Sequence, residues 1–521
     1  MGQLSILAML IERKIGAGSS AVGYPRDRIS GTYGIALMAL AIVAAFVFIG
    51  LSSDVSRSFP YIYLLPWLGL LLLALIISTT ILAKHGELSF ANPLAFATLG
   101  FFFPGFVIGG LGLALGYSQP YFVSLIQTPE ISLPWTVVLI TVGYSALSIG
   151  YFVPVGKWIG RVIASGLNRI RDIAPTSSPL PGFILLGLGM ANIWVAVLSG
   201  NLLSSYTGDL STYYGLAFIT SKLAVEATFI LWFMIFRRSE FNLSSYLTGG
   251  VLALIDLGGI VFSTSRSAAM GPITLITFAY ILSGREFRKK QVAIVFGSLF
   301  AALLFGMLYS TLVRQARDEN PGFDLVSQID SAQRAVDQLN SNKISSSFSF
   351  GFNFLAERID ELSPLAVIVS NYEQLAPYEE GYGLDDNIRK DLVTNFIPRF
   401  IWNNKPVASD PHLFGALYFD YGENSFTVTP MGDLLRNYGV TGVFVGMFIL
   451  GILLRVLYRG LVEGQVPSVV RSTLYFMLLT SINYEYFYGM ILTYMCKVGL
   501  TATIGLLIVG ALSKRVDVTN S

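Results

Sequence analysis

Cysteine and histidine are nearly absent from the 521-residue sequence: Cys496 stands alone, and His85 and His412 are the only imidazoles. An internal disulfide and a cysteine-rich metal centre are thereby excluded, and a zinc site would have to be built largely from carboxylates. Charge is the next shortage. Only 13% of residues are Asp, Glu, Lys or Arg, against roughly 25% in average soluble chains. The 34 basic and 32 acidic residues nearly cancel to +2, so the clustered positive excess that binds a phosphate backbone is missing and a nucleic-acid function is excluded. There is no internal repeat and no Gly-rich phosphate loop.

What is abundant is apolar surface, with 53% of residues hydrophobic. A bilayer core about 30 Å thick takes roughly 17–25 apolar helical residues, because no water is there to satisfy an open backbone. The sequence predicts twelve such spans, at 31–51, 60–82, 94–117, 131–153, 181–200, 212–236, 243–264, 267–283, 291–310, 437–458, 468–488 and 490–511. Lys and Arg near span ends are retained in the cytoplasm. Here they fall in alternate loops, at Lys84, at Lys157 with Arg161, at Arg237 with Arg238, at Arg285 with Arg288, and at Arg455 with Arg459. Both termini are therefore predicted to be cytoplasmic. Leu4–Ile11 is too short to span and its charges follow it, which reads as an interfacial segment rather than a signal peptide.

The expected organisation is an all-α polytopic membrane protein in five parts. These are a cytoplasmic segment 1–30, spans one to nine within 31–310, an extracytoplasmic loop 311–436, spans ten to twelve within 437–511 and a cytoplasmic tail 512–521. Loops longer than about 12–15 residues are usually functional or disordered. This one carries amphipathic helical patterns and aromatics, including Tyr378, Phe396 and Trp402, so a partly helical ordered cap is predicted.

The loop and the adjoining span ends collect Arg266, Arg314, Arg317, Arg358, Arg399, Lys405 and Arg436. A guanidinium presents a planar fork that suits phosphate oxygens, so the set is a candidate diphosphate site. Ordinary surface ion pairs with the loop's eighteen acidic residues compete with that reading, and Arg358 sits among Glu357, Asp360 and Glu361. Arg266 stands between two apolar spans, where an unpartnered charge is costly. Candidate bases are Asp433, His412, Asp420, Glu423 and Glu485. Asp433 is favoured over His412, because a position where the loop enters a helix is rigid. Its structural reading is a first-turn acid stabilised by the helix dipole. Within the spans, Lys222 and Glu226 are four apart and expected to pair, while Asp256 has no local partner.

Two stretches carry a resemblance. Asn395-Phe-Ile-Pro-Arg-Phe-Ile-Trp-Asn-Asn-Lys-Pro-Val407 and Thr429-Pro-Met-Gly-Asp-Leu-Leu-Arg-Asn-Tyr-Gly-Val-Thr-Gly442 resemble Wzy-type oligosaccharide repeat-unit polymerases. The Thr-Ser-Arg-Ser turn at 264–267 is similar to a Ser-Arg turn in these polymerases and in O-antigen ligases. Where such polymerases often have Glu, this chain has Asp433, and the usual Trp-Pro-Asp-Lys reads Trp402-Asn-Asn-Lys405.

The resemblance implies a GT-C-like bundle in a bacterial inner membrane, acting as a metal-independent glycosyltransferase with no cofactor. Donor and acceptor would be polyprenyl-diphosphate-linked oligosaccharides, and membrane lipids and a chain-length regulator would be further partners. It implies a catalytic base at Asp433 or His412. Substrate contacts would come from the arginines, Lys405, Trp402 and Glu485. A lipid-linked oligosaccharide flippase or other transporter, and an O-antigen-type ligase, are the competing readings. The missing two-half repeat weighs against a transporter.

Overall fold

The computed structural model describes residues 59–117, 120–174, 178–191, 214–238, 240, 242–262, 269–285, 289–319, 329–330, 333–334, 359–394, 397, 402, 409–422, 426, 428–513 and 515–516. In chain order the principal helices are α1 (Leu65–Lys84), α2 (Pro93–Ala114), α3 (Pro129–Phe152), α4 (Pro154–Leu167) and α5 (Leu180–Gly189). There follow α6 (Tyr214–Arg237), α7 (Leu243–Phe262), α8 (Met270–Leu282), α9 (Lys289–Glu319) and α10 (Leu362–Glu379). The last five are α11 (Asn387–Thr394), α12 (Pro411–Phe419), α13 (Thr429–Leu461), α14 (Val469–Thr480) and α15 (Tyr488–Leu512). Two short strands, β1 (Asp172–Ile173) and β2 (Arg515–Val516), pair antiparallel. Among the described residues seven helices are long and apolar enough to cross a bilayer: α1, α2, α3, α6, α7, α13 and α15. The chain is a helical membrane protein. Of the twelve runs expected from sequence, 31–51 lies outside the described residues.

Local chemistry explains the ends. Pro66 opens α1 in the first turn, where no amide hydrogen is needed, and Gly86 at φ +65° closes it. The amide of Glu87 donates to the Leu82 carbonyl at 2.8 Å, and that of Gly86 to Ala83 at 3.0 Å. This terminator places Glu87 against α13. Asn92 caps α2, accepting from the Leu94 and Ala95 amides.

Spans approach closely where a glycine meets the backbone of its neighbour. A Cβ at Gly150 of α3 would lie 2.1 Å from the Phe448 carbonyl oxygen, and one at Gly451 of α13 would lie 2.0 Å from that of Leu147. Such small-residue contacts are how helices associate in lipid, where apolar side chains gain little by leaving the bilayer for one another. The stripe continues in α4, whose Gly156 and Gly160 rest on Arg455 and Arg459, while its Trp158 and Val162 remain exposed.

The segment expected as an outer cap is partly inserted in the bundle. Residues Leu362 to Val369 of α10 are all buried, and the chain just before them meets the middle of α2. There the Glu361 amide donates to the Gly105 carbonyl at 3.1 Å. A Cβ at Gly109 would lie 2.7 Å from the Asp360 Cα. This stretch of α2, Thr98–Ile108, winds as a π-helix around Pro104. Proline removes one donor from the ladder, and a wider π turn is a common response at functional positions. Asp360 and Glu361, expected among surface pairs for Arg358, are instead only 5% and 6% exposed.

The eleventh run also differs. α14 stops at Thr480 after 12 residues, about 18 Å of helix, and Ser481 to Phe487 continue as a non-helical loop. Irregular backbone at that depth needs cover by protein. Here Tyr484 packs on Phe101 and Phe102 of α2, and the Asn483 side chain accepts from the Glu485 amide.

Candidate functional site

The Ser481–Phe487 loop, the start of α13 and the helices α10 to α12 converge on one guanidinium. Arg436 has a fully buried side chain and donates in four directions. Nη1 reaches Glu379 Oε1 at 2.9 Å and the Leu384 carbonyl at 3.1 Å. Nη2 reaches Asp433 Oδ1 at 2.9 Å and Asn387 Oδ1. Phe414 and Phe487 cover it, with ring centroids 5.7 and 5.6 Å from Cζ. Low dielectric strengthens each of these bonds and makes each loss costly.

The network extends outward from that centre. The Tyr418 hydroxyl donates to Glu379 at 2.7 Å, and burial, with the neighbouring Glu379 carboxylate, raises the phenol above its usual range. Asn437 links Asp433 and Asn387, Asn387 donates to the Ser409 hydroxyl at 2.6 Å, and Ser409 donates to Asp391. Asp433 Oδ2 accepts from the Tyr488 amide at 2.8 Å. Four separate pieces of chain are thus tied to the first turns of α13.

Strain marks the same place. Thr429 starts α13 with φ +57°, rare for a β-branched residue, and its hydroxyl accepts from the Gly432 amide at 3.2 Å. Ten residues on, Gly439 at φ +66° breaks the helix with a kink.

Asp433, favoured from sequence as the base, has no exposed surface and both oxygens are engaged. Arg436, expected among the diphosphate contacts, already holds two carboxylates and has no exposed face. In this structure the two groups form a clamp, each with its side chain buried and already engaged.

Two other candidates remain open. His412 lies exposed in the first turn of α12, which Asp410 caps. Its Nδ1 is 3.2 Å from the Gly422 carbonyl, which can only accept, so that contact puts a hydrogen on Nδ1 and leaves Nε2 free of it. Glu485 is half-buried, its carboxylate has no partner among the described residues, and its backbone carbonyl accepts from the Val428 amide at 3.3 Å. Trp402 is 37% exposed. Arg314 and Arg317 fall on the last turns of α9, which continues to Glu319 as the ninth-span helix was expected to do. Arg266, Arg358, Arg399, Lys405 and Glu423 lie outside the described residues.

A second buried guanidinium sits farther along α13, sixteen residues and so about 24 Å of helix beyond the break at Gly439. Arg455 forks onto Glu87 at 2.7 and 3.0 Å, reaches Glu463 at 3.0 Å, and donates to the Tyr151 hydroxyl at 3.0 Å. Sequence reasoning counted Arg455 as a loop charge and passed over Glu87, Glu379 and Tyr418. An arginine inside an apolar run was the available signal for the first. The others have no local pattern, because their partners are remote in the chain.

No curated protein and no solved structure matches the chain. The sequence model of one family, described as a domain of unknown function (DUF8712), matches residues 188–497, from the end of α5 into α15. That match takes in the whole Arg436 network and leaves out α1 to α4. Because it covers more than half of the sequence, the chain belongs to the DUF8712 family.

Proposed function

We propose that this protein is a membrane glycosyltransferase that polymerises lipid-diphosphate-linked oligosaccharide repeat units into a cell-surface polysaccharide. The observation that carries the reading is the setting of Thr429–Gly442. The stretch whose sequence resembles Wzy-type polymerases is also the piece where α10, α11 and α15 are tied together around Arg436. In this reading the Arg436 end of α13 faces the outside and the Arg455 end the cytoplasm, as the basic-loop alternation expects.

The reaction needs few parts. An acceptor sugar hydroxyl attacks the anomeric carbon of the growing chain, the bond from that carbon to the diphosphate oxygen breaks, and the lipid diphosphate departs with the electron pair. The hydroxyl proton passes to a base. His412 Nε2 and the Glu485 carboxylate are the groups with room to take it, while Asp433 and Arg436 position the surrounding helices. Arg314 and Arg317, with Arg266, Arg358, Arg399 and Lys405, are the proposed diphosphate contacts, through charge-assisted hydrogen bonds that strengthen as the leaving group develops charge.

A transporter of lipid-linked oligosaccharide is the second reading, favoured by Glu226 and Asp256, acids within membrane helices that have carboxylate oxygens without a partner. Deletion of the gene in its own host separates the two. Loss of the polysaccharide ladder with single repeat units retained at the surface supports the polymerase. Loss of every surface unit supports the transporter, and full ladders left on their lipid carrier support a ligase.

A further inference from the structure

Glu226 lies on α6, eleven residues and so about 16 Å of helix from its end at Arg237. It is 0% exposed, and neither carboxylate oxygen has a hydrogen-bond partner among the described residues. The expected pairing with Lys222 is not formed: Lys222 Nζ lies 5.7 Å from the Phe218 ring centroid instead. The carboxyl is aimed at α15, where a Cβ on Gly505 would fall 2.1 Å from Oε2, so the bare glycine supplies its space.

Among the described residues no cationic side chain is bonded to Glu226. α15 carries Tyr494, Cys496 and Lys497, α14 carries Arg471 and Tyr475, α7 carries Tyr246 and Asp256, and α8 carries Tyr280, while α5 has no titratable side chain. None of these is bonded to Glu226. Nearby hydroxyls are spent on their own helices, Thr501 on the Lys497 carbonyl at 2.9 Å and Thr228 on that of Ala224 at 3.0 Å. A hard metal cation usually wants six or more oxygens, and only two converge here. A bare carboxylate in a dry interior is costly, so the site requires a positively charged ligand small enough to fit against a helix backbone.

We propose that Glu226 and Gly505 form an intramembrane proton-binding site between α6 and α15. The bound proton makes the carboxyl a neutral acid that can lie against the α15 backbone, and its loss leaves a charge there that favours separation of the two helices. The site is independent of the glycan chemistry proposed above.

Infrared difference spectroscopy on the purified full-length protein in lipid tests this. Wild type minus Glu226→Gln at neutral pH is expected to show a protonated-carboxyl C=O stretch above the amide I band, shifted downward in D2O. Asp256→Asn and Lys222→Met should retain that band, as should replacement of sodium by potassium. A carboxylate doublet at Glu226 in place of the acid band would overturn the proposal, as would disappearance of the band in Asp256→Asn with its retention in Glu226→Gln. Conversion of the acid band to carboxylate by sodium alone would identify a metal-cation site and also overturn it. Gly505→Ala should perturb the band without removing it, and an unchanged band in a folded Gly505→Ala protein would contradict the assigned contact.

Discussion

Glu379 and Asp433 hold one guanidinium between them, each 2.9 Å from a nitrogen of Arg436, although Glu379 belongs to the inserted helix α10 and Asp433 to the start of α13. A buried ion pair is weak support for stability as long as both partners stay, but removal of one leaves an uncompensated charge and costs about 3–5 kcal/mol. Arg436→Met, which orphans both carboxylates, should therefore lower the melting temperature in detergent strongly, and Glu379→Leu less, because Asp433 still pairs with the guanidinium. The double variant should recover part of the Arg436→Met loss, since it leaves one orphaned carboxylate instead of two. Additive losses would mean that the pair does not act as a clamp.

Roles at the site separate by their effect on folding. Asp433→Asn should lower stability, because the amide brings a donor to an oxygen pair that accepts from Arg436, Asn437 and the Tyr488 amide. His412→Ala and Glu485→Gln touch no buried network and should melt like wild type. If one of them is the base, chain growth should drop about 10²–10⁴-fold in that variant. Normal growth in both variants and in their combination would remove the base from this loop cluster.

Asp360 supplies a pH dependence with a definite sign. Burial pushes its carboxyl up to about 6, opposed by bonds from the Ser363 hydroxyl and the Leu362 and Ser363 amides. The folded state therefore binds more protons than the unfolded chain between about pH 4, near an ordinary Asp, and that raised value. Its contribution is fully present below about pH 4 and is lost as pH rises through 6. Melting of wild type against Asp360→Asn should show a difference that changes by about 3 kcal/mol across this window, with the variant flatter. Parallel curves would show that Asp360 does not titrate there.

Orientation can be read at two exposed aromatic positions. Tyr378 is 62% exposed at the end of α10, and Trp158 is 63% exposed on α4. Cysteines placed there one at a time, in a background lacking the exposed Cys496, should react with an impermeant thiol reagent in intact cells at 378 only. Reaction at 158 only would invert the topology and move the Arg436 network to the cytoplasm.

Much of the helical layout was legible because hydropathy and punctuation agree locally. Pro66 and Gly86 bound α1, and Asn92 with Pro93 starts α2 within two residues of the expected position. Hydropathy does not register a helix that stops inside an apolar run, which is why α14 ends at Thr480 while the run continues to 488. Nor does it show insertion. Leu362 to Val369 read as the apolar face of a surface helix, yet α10 buries its first half on all sides. The chemistry was half visible: Asp433 and Arg436 stood out beside the same break in the chain. Their mutual bond was open to a spacing of three, but Glu379 sits 57 residues before Arg436 with no periodic link to it.

The most direct test of the polymerase reading uses purified protein in liposomes, supplied with the lipid-diphosphate-linked repeat unit of its host. The expected result is a ladder of lipid-linked oligomers, with one lipid diphosphate released for each new glycosidic bond and none formed by the protein-free control. Units that remain single while moving between leaflets would contradict polymerisation and identify a transporter.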